Sequence, residues 1–101
     1  MNLELNIKPQ TENILKNILK DVHDQEIFAQ NIISYQVSEL KRGILNIQLD
    51  LLQYESKYKM SSEEFYDMFN QGKADDRDDF IIWAGLYEML NKNEKRLNEL
   101  G

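Results

Sequence analysis

Eight apolar residues spaced alternately four and three apart, Ile33, Val37, Leu40, Ile44, Ile47, Leu51, Tyr54 and Tyr58, run unbroken through the middle of the chain. Only a helix returns such positions to one face, so the stripe demands a single long helix that buries a narrow seam. A helix of roughly 35 residues would be about 50 Å long at ~1.5 Å per residue. In a chain of 101 residues, one compact domain or two very small ones, such an element acts as a spine joining parts. A chain of this length buries only about two thirds of its unfolded surface, so a partner or a second copy would help it.

The segment Leu3-Glu4-Leu5-Asn6-Ile7-Lys8 alternates apolar and polar residues, which predicts a strand with one buried face, ended by Pro9. A lone strand leaves its ladder groups unpaired, and the simplest partner is the same strand of another copy, which predicts a homodimer. Thr11 is a candidate cap for a helix with Ile14, Leu15, Ile18, Leu19 and Val22, ending near His23-Asp24. The next helix begins at about Gln25 and carries Ile27, Phe28, Ile32 and Ile33 directly into the seam. Gly43 costs the helix about 1 kcal/mol relative to Ala. No proline, cap residue or polar spacer follows it, so the helix is read as continuous rather than broken there.

After a turn at Lys57-Tyr58-Lys59-Met60, Ser61 and Glu64 form a capping box, and Met60 and Phe65 a hydrophobic staple, at the start of a short helix that stops at Gly72. A last helix, from about Asp78 to Leu100, carries Ile82, Leu86, Met89 or Leu90, Leu97 and Leu100, with a second stripe of Phe80, Trp83, Tyr87 and Leu90 widening its apolar face. It should pack antiparallel on the second half of the long helix. The expected fold is therefore mostly α, with a short N-terminal strand, two helices of which the second is long, a short helix and a final antiparallel helix. Residues 1–43 form the expected dimerising module and residues 44–101 a helical partner-binding module.

The chain has no cysteine, no run of ~18 apolar residues and no basic-then-apolar leader, which argues against disulfides, a membrane span or secretion and leaves the cytoplasm as the default location. Its formal net charge of -6 is local: residues 61–79 hold seven acids against Lys73 and Arg77, whereas residues 1–60 hold 8 acids against 7 bases. No glycine-rich phosphate loop, nucleophile motif or Glu-x-x-His pair is present, and a single histidine, His23, makes no usual zinc site. No enzyme, metal or cofactor is expected.

One strand and two helices within the first 42 residues resemble a ribbon-helix-helix protein. The resemblance implies a dimer through Leu3, Leu5 and Ile7, with Asn2, Asn6 and Lys8 facing operator DNA and a phosphate at the start of the second helix. Glu4, Asp24 and Glu26 depart from it by placing acids where phosphates would lie. The segment Lys57-Tyr-Lys-Met-Ser-Ser-Glu-Glu-Phe-Tyr66, with Gly72, the Asp-rich stretch, Asp79-Phe-Ile-Ile-Trp83 and Leu86, resembles small prokaryotic antitoxin-type proteins encoded beside a toxin. This second resemblance implies neutralisation of a cognate toxin, such as a ribonuclease, by direct binding, and control of the chain's own promoter. The alternative is an acidic, dimeric helical scaffold that binds no DNA.

The candidate partner-binding residues are Tyr66, Asp75, Asp76, Asp78, Trp83 and Tyr87. Clustered aspartates can imitate phosphates in a basic RNA site and steer association; the plainer reading is a solvated loop whose last aspartates cap the final helix. For the aromatics, interface anchoring competes with core packing, which suits Phe65, Phe80 and Trp83 better than Tyr66 and Tyr87. The seam from Ile44 to Tyr58 fits packing within the chain better than a coiled coil between chains.

Overall fold

The computed structural model describes residues 3–101, and among them every regular element is a helix: α1 (Pro9–Lys20), α2 (Gln25–Tyr58), α3 (Ser62–Asn70) and α4 (Asp78–Leu100). The chain divides into two compact units, Met1–Ile33 and Ser34–Gly101, with the division falling inside α2.

The N-terminal strand is not formed. Residues 3–7 have no ladder partner, and Leu3, Leu5 and Ile7 are 86, 59 and 38% exposed. Alternation supplies the side-chain pattern of a strand, but a strand exists only when a second one takes its backbone hydrogen bonds, and no other strand is present among the described residues. The ribbon-helix-helix arrangement falls with it. Pro9, expected to end the strand, instead opens α1, where its missing N–H removes no helical bond and its fixed φ is already helical. Lys8 rather than Thr11 is the cap residue, and its carbonyl accepts the first helical bond from the Glu12 N–H at 3.0 Å.

Within the first unit the turn at His23-Asp24 leads into α2 as expected. The Asp24 carboxylate accepts hydrogen bonds from the Glu26 and Ile27 N–H groups at 3.0 and 3.3 Å, so it neutralises the positive end of the helix. Leu15, Val22 and Phe28 are half-buried, and no described residue of this unit is buried.

The second unit holds the core: Ile44, Ile47 and Leu51 from α2, Phe65 from α3, and Trp83, Ala84 and Leu90 from α4. α2 runs through Gly43 without a break, and its seam from Ile44 onward is covered within the chain. Gly43 faces Asn93, Tyr54 packs on Trp83 and Tyr58 on Phe80, so the positions descend α4 as they ascend α2 and the two helices are antiparallel. Two left-handed residues shape the turns around α3. Lys59, at φ 58°, closes α2 with its N–H on the Glu55 carbonyl at 2.9 Å, while Gly72, at φ 73°, closes α3. At Gly72 the bonds run from its own N–H to Phe69 O and from the Lys73 N–H to Met68 O, the two-bond Schellman pattern.

Candidate functional site

The centre of the second unit is a stack. The Phe65 and Trp83 rings lie parallel, with centroids 3.9 Å apart and 2° between their planes, and Tyr54 and Tyr58 stack on the same indole at 5.8 and 5.6 Å. Trp83 is fully buried, so it offers no surface to a partner; of its two expected roles, the core one holds. Its Nε1–H donates to Ser62 Oγ at 2.8 Å, and the Ser62 hydroxyl and backbone N–H both donate to Glu55 Oε2, at 2.8 and 2.9 Å. A half-buried carboxylate on α2, a buried serine at the start of α3 and a buried indole on α4 thus form one chain of hydrogen bonds across three helices. No buried side-chain nitrogen or oxygen among the described residues lacks a partner. Sequence reading missed Glu55 and Ser62. Ser62 sits directly after the cap Ser61, whose own Oγ accepts from the Glu64 N–H at 3.1 Å, and only the approach of α2 and α4 distinguishes the two serines.

Two of the candidate residues are brought together at the surface. Tyr66 on α3 and Tyr87 on α4 pack with ring centroids 5.0 Å apart at 48°, and the Tyr66 hydroxyl donates to Glu88 Oε1 at 2.7 Å. That bond to a carboxylate holds the phenol protonated beyond its usual range, raising its pKa. Both rings are half-buried and pack against the core, so each keeps part of its surface exposed. Beside Tyr87 opens a shallow cleft of about 360 Å3 that is also lined by Leu52, Glu55, Glu63 and Leu90. Leu52 is 54% exposed. The rest of its lining is Leu51 with the polar Gln48, Ser61 and Ser62, so the cleft mixes apolar side chains with hydrogen-bonding groups and two glutamates.

The acidic stretch does not act as one cluster. Asp75 is taken up locally: it accepts two hydrogen bonds from the Arg77 guanidinium, at 2.9 and 2.8 Å, and one from the Arg77 N–H at 3.2 Å. The bonds from Arg77 hold its carboxyl below the usual carboxylate range. Asp79 serves as a tie between helices, accepting from Lys57 Nζ at 2.8 Å and from the Tyr58 hydroxyl at 2.6 Å, and the lysine bond likewise depresses its pKa. Asp76 and Asp78 are exposed and make no side-chain bond to the described residues. The expected capping of the last helix by these aspartates is therefore altered: Arg77 is the cap residue and makes no side-chain cap bond, while Asp78 and Asp79 sit in the first turn, where their charge favours the helix dipole.

Of the expected DNA-facing residues, Asn2 lies outside the described residues, Asn6 is exposed in an unpaired segment, and Lys8 caps α1. The expected phosphate position at the start of α2 is filled by the Asp24 carboxylate. No helix is long and apolar enough to cross a membrane. Set beside known proteins, the chain matches no family model, no curated protein and no solved structure.

Proposed function

We propose that this chain is an antitoxin-type protein that neutralises a cognate toxin by direct binding through its C-terminal helical unit. The observation that carries the reading is the half-buried Tyr66–Tyr87 pair, with Tyr66 held by Glu88 and Tyr87 beside a cleft that Leu52, Leu90, Glu55 and Glu63 also line. A ribonuclease toxin must present basic groups to RNA, and an acidic, aromatic surface is the complementary chemistry. The antitoxin-like segment supports the same reading, because its residues interlock. Tyr58, Phe65, Phe80 and Trp83 share one core, Ser61 caps α3, Gly72 ends it, and Asp79 fastens α4 to α2. Promoter binding is not carried forward, since it rested on a paired ribbon.

A second reading, an acidic helical adaptor that binds no DNA, is favoured by the Asp24 carboxylate at the start of α2, which repels an incoming phosphate. One experiment separates the two. The product of the adjacent gene is expressed alone and together with this chain, growth is followed, and the pair is co-purified. Toxicity of the neighbour alone, rescue by this chain and a stable complex weakened by Tyr66→Ala and Tyr87→Ala support the antitoxin. A harmless neighbour that forms no complex overturns it.

A further inference from the structure

The N-terminal unit poses a physical problem of its own. It contains α1 and the first part of α2, yet none of its described residues is buried, and nine Leu and Ile side chains in it are between 37 and 86% exposed. Ordering costs backbone entropy at every residue, and a unit with no buried side chain has little hydrophobic stabilisation to offset that. The apolar residues are not scattered. Leu15 and Leu19 of α1 and Phe28 and Ile32 of α2 line a groove of about 340 Å3, with Leu3 and Leu5 along it and Gln25 as its one polar side chain. Outside the groove, Ile14, Ile18 and Ile27 of the same two helices are exposed as well, at 60, 44 and 55%.

We propose that this face is the seat of a second copy of the same chain, so that the N-terminal units pair into a homodimer through α1, the start of α2 and the segment before α1. The first argument is area. At these exposures the nine side chains of the unit together present on the order of 800 Å2, about the share each partner contributes to a standard interface, and the groove is the part of that surface whose lining is contiguous. The second is chemistry. The groove is aliphatic, with one Phe and no Trp, Tyr or Arg, whereas the anchors of contacts between different proteins are enriched in those three; interfaces between identical subunits are the more apolar kind. The third is supply. A surface uncovered in every copy of the chain needs a cover present wherever the chain is made, and a two-fold packing lays the same patch against itself. The inference does not depend on the toxin reading, and the chain is tested alone.

The molar mass of the full chain is measured in solution by light scattering and sedimentation equilibrium, from low micromolar concentration upward. The expected result is twice the 12.0 kDa of one chain. Ile18→Glu combined with Ile32→Glu should give the single-chain mass and weaken association by at least about 100-fold, because two carboxylates would be buried without partners. Both side chains are exposed within one chain, so the charges do not oppose the fold of a single copy. The emission of Trp83, which lies in the other unit, confirms that the variant remains folded there. A wild-type chain of single mass throughout overturns the proposal and leaves the face to a different protein. A dimer that survives the double substitution also overturns it, placing the interface elsewhere.

Discussion

Ser62→Ala is the sharpest test of how the C-terminal unit is held together. Ser62 is 3% exposed; its hydroxyl accepts from the Trp83 Nε1–H and donates to Glu55. Removing it leaves a donor on a fully buried indole with no acceptor, which costs ~1–3 kcal/mol, and deletes a bond to a carboxylate whose net contribution is ~1.5–3 kcal/mol. Glu55 retains the Ser62 backbone N–H and is only half-buried, so water can replace part of what it loses. The expected net loss is therefore about 2–3 kcal/mol, a large share of what a unit this small can have at ~0.05–0.15 kcal/mol per residue. At ~4–8 °C per kcal/mol for a domain of this size, the melting temperature should fall by roughly 10–20 °C. Urea unfolding followed by emission of the single tryptophan reads this unit alone. A partner experiment isolates the orphaned donor: in a Trp83→Phe background, followed by circular dichroism, Ser62→Ala should cost about 1–2 kcal/mol less, since no indole N–H remains to be stranded. A loss below about 0.5 kcal/mol, or an equal loss in both backgrounds, would refute the reasoning.

Three further outcomes follow from the same geometry. Lys59 and Gly72 both adopt left-handed backbone, so Lys59→Gly should stabilise the unit by about 0.5–1 kcal/mol and Gly72→Ala should destabilise it by about 1 kcal/mol; opposite signs in thermal melts check the pair, and equal signs would contradict it. A Cβ at Gly43 would lie 3.9 Å from Asn93 Nδ2, an ordinary contact, so Gly43→Ala should raise stability by about 0.5–1 kcal/mol through helix propensity, and a loss would mean the helices cannot accept it. Asp79 is depressed by its bond to Lys57 and Asp75 by its bonds to Arg77. Their contribution is fully present above the ordinary carboxylate pKa of about 4 and is lost as pH falls through the lower folded values, so Asp79→Asn should flatten the acid limb of a stability-versus-pH curve; an unchanged slope would show that the tie contributes nothing.

The helices were legible in the sequence because their signals are local. The four-three stripe across Gly43 needed nothing but its own phase to specify a continuous α2, and Ser61 with Gly72 bounded α3 because caps act within one turn of their own backbone. The start of α2 at Gln25 was legible too, although the capping bonds of Asp24 were not read from the sequence. The strand at Leu3–Ile7 misled because period two is a statement about side chains, while a strand is a statement about which distant backbone takes its hydrogen bonds. Pro9 was a local signal read in the wrong direction, since a proline closes one element and opens another with equal ease. The division of the seam, covered from Ile44 onward and open at Ile33, was decided by where α4 lies against α2. Likewise, four similar aspartates separated into a loop pair, a helix tie and two free charges only once Arg77, Lys57 and Tyr58 came within reach. The chain's own order thus determined its helices and their ends, through interactions that span a few residues. Which of its tyrosines faces outward, which serine is buried and which apolar face stays open were decided by contacts between residues some twenty or more positions apart, and no local pattern encodes those.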